Sequence, residues 1–196
     1  MKAVRVGFES EIRDMSVQQE DERIVYRADP ANPEHLALVS KELEKHDIAG
    51  LVHMAPLKLA GASWKDDTQP SSQIALAAHG YFSLLQGIDA RLASRSDGLV
   101  ASVTAMDGRH GNIGERFNSV QCAASGVTKS YFFEQPHLRM RALDLHPELI
   151  LDAEQAADMI AHDLFEIGGD VEIGLDRDGR RWTLVAFAED LSLIHI

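Results

Sequence analysis

A chain of 196 residues, 45% hydrophobic and 26% charged with no low-complexity tract, is long enough for one domain with its own core and excludes a disordered tail. A formal charge of −12 speaks against nucleic acid or an anionic membrane as partner, because phosphates repel an acidic surface. One cysteine, Cys122, excludes an internal disulfide framework and suits a reducing, cytoplasmic setting. No apolar run reaches membrane-spanning length, and the start Met1-Lys2-Ala3-Val4-Arg5 lacks a signal-peptide core.

Short apolar runs alternate with longer amphipathic ones, the rhythm of a parallel sheet flanked by helices. Residues 3–7 and 23–26 read as strands. Asp29-Pro30-Ala31-Asn32-Pro33 supplies a helix cap and leads into a helix over 34–45, with Leu36, Val39 and Leu43 on one face. Residues 48–53 read as a buried strand and 58–69 as a loop. Ser71 or Ser72 is placed to cap a helix over 71–92 that buries Ile74, Ala77, Ala78, Tyr81, Leu85, Ile88 and Leu92.

Asp97-Gly98 ends that helix, 99–104 is the next strand, and glycine-rich 107–114 is a loop. A helix is expected over 117–134, with Ala123, Ala124, Ser125 and Gly126 allowing close backbone approach. Residues 139–143 form a strand. Asp152 with Gln155 resembles a capping box for a helix over 152–167 that stops at Gly168-Gly169. The turn sequence Asp176-Arg177-Asp178-Gly179-Arg180 joins 171–175 to 182–187 in a closing hairpin. The expected fold is α/β and Rossmann-like: one mainly parallel sheet holding 24–26, 51–53, 100–104 and 140–143, flanked by helices, with a C-terminal β-hairpin.

Gly50-Leu51-Val52-His53-Met54-Ala55-Pro56-Leu57 begins a likeness to a known family. It continues through Leu99-Val100-Ala101-Ser102-Val103-Thr104-Ala105-Met106-Asp107-Gly108, Ser125-Gly126-Val127-Thr128-Lys129-Ser130 and Arg139-Met140-Arg141-Ala142-Leu143-Asp144-Leu145. Residues 170–175 with Arg180-Arg181-Trp182 complete it. In order and spacing, 23–187 resembles the short-chain dehydrogenase/reductase (SDR) ketoreductase domains of modular polyketide and polyunsaturated-fatty-acid synthases. The resemblance implies three catalytic groups: a tyrosine that protonates the carbonyl oxygen, a lysine four residues later that lowers its pKa, and a serine that orients substrate. Counting from Gly126 and Gly108, those positions fall on Phe117, Gln121 and Ala105, none of which does the corresponding chemistry. No G-x-G-x-x-G pattern occurs, so the glycine-rich turn that receives a pyrophosphate is missing as well.

Other chemistry-bearing residues take structural readings. His53, at a strand's carboxyl end, has no partner of the family's kind. His53, Asp107 and His110 could be imagined as a metal site but lack ligand spacing. Cys122 sits among small helical residues and reads as inert. Asp144 and Glu148 read as a strand-to-helix turn rather than an acid/base couple, and Tyr131-Phe132-Phe133 as part core, part exposed contact face.

Residues 1–190 therefore read as one ketoreductase-like Rossmann domain, truncated at both ends, whose first strand–helix unit lies before Met1. The tail Leu191-Ser192-Leu193-Ile194-His195-Ile196 matches one translated frame of a transposon-end adapter and reads as non-native. The resemblance implies a pseudoenzyme, a structural subdomain that binds no cofactor and packs against the catalytic ketoreductase module of the same synthase polypeptide. Two alternatives stand beside it: an active NADPH-dependent β-ketoacyl reductase, and a small-molecule-binding module without chemistry.

Overall fold

The computed structural model describes residues 3–20, 23–61, 70–113, 116–166 and 168–185. Its first three strands are β1 (Val4–Phe8), β2 (Ser16–Glu20) and β3 (Arg23–Ala28). β1 and β3 pair in parallel while β2 runs antiparallel on the other side of β3, so the order is β1-β3-β2. β2 reads Ser-Val-Gln-Gln-Glu and is largely exposed, without the apolar alternation that betrays a strand in sequence.

Helix α1 (Pro33–Leu43) starts at Asn32, whose side chain accepts the N–H groups of Glu34 and His35. Pro33 sits in the first turn, where its missing N–H leaves nothing unpaired. Leu36, Val39 and Leu43 face the core as expected. Asn32→Ala should cost about 1 kcal/mol and lower the unfolding midpoint by roughly 2–4 °C in calorimetry. An unchanged midpoint would show that Pro33 alone defines this helix start.

β4 (Gly50–His53) leads through a 3₁₀ turn, Ala55–Leu59, toward one long helical rod. The rod is made of α2 (Pro70–Ile74), a π-helical turn (Ala75–His79) and α3 (Gly80–Ala93). The wider turn rotates the buried face. Gln73, Ala75 and Ala77 point inward ahead of Tyr81, Leu85, Ile88 and Leu92, and Ile74, expected inside, is exposed. Ser71 and Ser72 do not cap the rod, since Pro70 already holds a helical position.

The chain continues as β5 (Leu99–Thr104), a 3₁₀ turn (Ser119–Gln121) running into α4 (Cys122–Glu134), then β6 (Arg139–Leu145). A second 3₁₀ turn (Pro147–Leu151) precedes α5 (Ala153–Phe165), β7 (Glu172–Leu175) and β8 (Arg181–Trp182). The Asp152 side chain caps α5 by accepting the N–H of Glu154 and Gln155, and Gly168 and Gly169 follow the helix with positive φ. Of the helix expected over 117–134, the α-helical part starts only at Cys122. Ala124 and Ser125 are buried there, while Gly126 faces open space.

These strands form a five-stranded sheet in the order β4-β5-β6-β7-β8, parallel except for β8. Every residue of β5 is buried, as in a strand covered on both faces. The hairpin turns at 176–180 as expected, but β8 keeps only two paired residues, and residues 186–187 lie outside the described ones. The architecture is Rossmann-like α/β.

The sheet is not continuous, however. Residues 24–26 belong to the smaller sheet, and β1 and β4 are more than 8 Å apart along most of their length, beyond ladder distance. One core nonetheless spans both sheets, drawing Phe8, Tyr26 and Ala28 together with Leu36, Val39, Tyr81, Ile88, Val100 and Met140. A second core on the other face of the main sheet packs Ala101, Val103, Leu143, Leu145 and Ile173 against Ile160 and Leu164 of α5.

Candidate functional site

In open α/β sheets ligands bind at the carboxyl ends of the strands. Here that position over β5, β6 and β7 is taken by the loop 105–113, and two buried carboxylates shape it. Asp144, in β6, accepts the Thr104 hydroxyl (2.8 Å) and the Met106 N–H (2.9 Å) on one oxygen. Its other oxygen accepts the N–H groups of Asp107 (3.4 Å) and His110 (2.9 Å). Asp107 in turn accepts the N–H groups of Arg109 (2.8 Å), Gly111 (2.7 Å) and Ile113 (3.1 Å). Both side chains are fully buried, and their oxygens are spent on the loop's own backbone.

The loop is pinned to β7 and the hairpin. Gly108, at φ +73°, lies so close to β7 that a Cβ would stand 2.2 Å from the Leu175 carbonyl oxygen. The Arg109 guanidinium lies 3.6 Å from the centre of the Trp182 ring and donates to Asp176 at 3.2 Å. Asp176 also accepts the Trp182 indole N–H (2.8 Å) and the N–H groups of Asp178 and Arg180. Its burial alone would raise its pKa; these donors outweigh that and hold it at about 2.

Of the three positions carried over from the resemblance, two meet. Gln121 accepts the Ala105 N–H (2.8 Å) and donates to the Ala105 carbonyl (3.1 Å), so both ends of its amide are engaged by one residue's main chain. Phe117 packs its ring on Gly111, where a Cβ would come within 2.6 Å of it. Its recorded contact is thus with the loop and not with Ala105.

His53 is a core residue: it stacks on Tyr81 with ring centroids 4.5 Å apart and its Nε2 lies 3.1 Å from the Ala77 carbonyl oxygen. Burial pulls its pKa down to about 4, against the opposing pull of the Ala77 and Leu76 carbonyls. The Tyr81 hydroxyl lies 2.9 Å from that of Thr128, which donates to Ser102 at 2.9 Å, a buried relay invisible in the sequence pattern.

His53, Asp107 and His110 do not assemble a metal site. Among the described residues, only His162, Asp163 and Glu166 bring three such ligand groups together. Arg181 already neutralises that group, 3.1 Å from Asp163 and 2.7 Å from Glu166. Burial and the nearby Asp144 carboxylate push the Cys122 thiol pKa up, away from the reactive thiolate. Asp144 and Glu148 are no couple either. Asp144 and Leu145 still belong to β6, so the expected turn starts later, at His146, and Glu148 pairs outward with Arg177 at 2.6 Å. Tyr131 is buried, its hydroxyl donating to Asp89 at 2.7 Å, whereas Phe133 is 82% exposed.

No helix among the described residues is long and apolar enough to cross a membrane. No family model matches the chain, and no curated protein matches it in sequence. Solved structures do match. One is a multidomain structure of a keto acid-selecting NRPS module with adenylation, ketoreductase and pseudo Asub domains: TM-score 0.61, 13% identity, 91% of this chain and 14% of that one. A short-chain dehydrogenase from Streptomyces avermitilis gives TM-score 0.58 and 14% identity over 81% of this chain and 72% of that one. An NAD(P)-dependent gluconate 5-dehydrogenase from Beutenbergia cavernae, with bound NADP, gives 0.50 and 19% over 71% of this chain. The chain spans 61% of that enzyme's length. At such identities the likeness establishes the fold, which is that of short-chain dehydrogenases.

Proposed function

We propose that this chain is a non-catalytic, ketoreductase-like subdomain of a polyketide or fatty-acid synthase that supports a catalytic reductase module in the same polypeptide. The observation that carries this reading is the paired amide of Gln121. Where the reaction needs a cation beside a phenol, this chain has a neutral side chain locked to the Ala105 main chain. The loop 105–113 fills the strand ends beside it. On the cofactor side, β1 runs on to another strand, so no helix N-terminus follows it to receive a pyrophosphate. The likeness to a structure with a ketoreductase domain in an assembly-line module supports the synthase context.

The alternative, a working NADPH-dependent reductase, draws on the NADP bound by the structurally similar dehydrogenase. One titration separates the two. The purified protein should show no saturable fluorescence change with NADPH and no NADPH consumption with a β-ketoacyl thioester. Each lost transition-state donor commonly costs about 10²–10³ in rate, and the three act as a unit. Phe117→Tyr combined with Gln121→Lys should not restore turnover, because neither change builds a cofactor site. Micromolar NADPH binding with steady consumption would overturn the scaffold reading.

A further inference from the structure

The break between the two sheets has the form of a vacant strand position. We infer that the cleft between β1 and β4 receives one extended, apolar β-strand from another polypeptide segment, which joins the two sheets into one. This inference does not depend on the partner being a reductase.

The spacing comes first. Neighbouring strands lie about 4.8 Å apart, so two strands with one missing between them stand about 9.6 Å apart. β1 and β4 exceed 8 Å along most of their length, yet their carboxyl ends meet: the Phe8 and His53 rings are 6.3 Å between centroids. A helix is about 10 Å across with its side chains and does not fit such a gap.

The hydrogen-bonding edges follow from strand parity. The Glu9 N–H donates to the Ala28 carbonyl, so odd-numbered residues of β1 face β3, and Val4, Val6 and Phe8 turn their N–H and C=O groups to the cleft. The Leu99 N–H donates to the Ala49 carbonyl, so odd-numbered residues face β5, and Gly50 and Val52 turn theirs to the cleft from the other side. Lys58, from the turn after β4, donates to the Phe8 carbonyl at 2.6 Å, a side chain doing what a neighbouring strand's N–H would do. Val4, Val6, Gly50 and Val52 have no such substitute among the described residues.

The side chains indicate what the added strand is made of. β5 is buried throughout, but in β4, one strand over, Leu51 is only partly covered and Val52 is 37% exposed. Val4 and Val6 lie half-covered over the same core. A strand bedded between them is covered on its core face by apolar groups, which calls for Val, Ile or Leu.

The probe is the peptide Ac-Glu-Lys-Val-Val-Leu-Ile-Val-Glu-Lys-NH₂, with a control in which the five apolar residues become Gly and Ser. Added to the ¹⁵N-labelled protein, the apolar peptide should slow amide exchange of Val6 and Val52 by about tenfold or more, and the control should not. Val52→Pro removes an N–H that faces the cleft and not β5, and should abolish the effect. A nitroxide on the peptide gives an independent readout in the unaltered protein, broadening both Val6 and Val52. Unchanged exchange at those two amides overturns the inference. So does protection confined to the outer edges at β2 or β8. So does concentration-dependent protection without peptide, which would mean that a second copy of the chain fills the cleft. Failure here leaves the NADPH titration untouched, so the two readings fall separately.

Discussion

Asp144→Ala is expected to destabilise the protein by about 4 kcal/mol. The substitution strips acceptors from the Thr104 hydroxyl and from the N–H groups of Met106, Asp107 and His110, all at the buried base of one loop. A buried donor left without a partner costs about 1–3 kcal/mol, and water entering the loop recovers part of the sum. For a chain of this size the loss corresponds to roughly 8–16 °C in the unfolding midpoint. Asp144→Asn keeps one acceptor oxygen and should lose about half as much. Calorimetry on the three proteins decides it. If Asp144→Ala unfolds within a degree or two of the parent, the loop is held by its packing on β7 and not by the carboxylate.

The second large effect is a fall in stability between pH 6.5 and pH 4 that originates at His53. The ring is buried against Tyr81, and its pKa is pulled from the ordinary 6.5 to about 4. Above pH 6.5 both folded and unfolded chains hold this histidine neutral, and its contribution is complete. Between 6.5 and 4 the unfolded chain takes up a proton that the folded one refuses, so stability drops as pH falls. Below 4 both are protonated and the loss levels off. Two and a half pKa units at 1.36 kcal/mol each make about 3 kcal/mol. His53→Phe keeps a flat ring beside Tyr81 and cannot titrate. Urea unfolding of parent and variant across this range should give stabilities that differ by a pH-dependent amount of that size. Parallel profiles would mean that His53 is protonated in place.

What the sequence disclosed, and what it hid, depended on whether the information was local. The run from Leu99 to Thr104 announces a strand covered on both faces, and Asn32-Pro33 announces a helix start; both are properties of neighbouring residues. Ser16-Val17-Gln18-Gln19-Glu20 forms a strand by borrowing the edge of β3, which no period within those five residues records. Ile74 points outward because five residues after it adopt a wider turn, shifting a phase that helical periodicity assumes constant. The separation of β1 from β4 is likewise a matter of what stands between them. At the candidate site, counting along the resemblance brought Ala105 and Gln121 together, and they do meet. The bond, however, joins an amide to a main chain, and side-chain identity alone does not announce that. Asp107 and Asp144 were visible as acids, but the backbone groups they serve become their partners only once the loop has closed.

The contact between the loop and β7 has a genetic consequence. A Cβ on Gly174 would stand 2.1 Å from the Gly108 carbonyl oxygen, and one on Gly108 would stand 2.2 Å from the Leu175 carbonyl oxygen. Main chain meets main chain there, and no side chain is available to be trimmed in compensation. Second-site suppressors of an alanine at either glycine should therefore not be large-to-small changes nearby. Relief has to come from altering the path of the loop itself, by an insertion or deletion between Ala105 and Ile113.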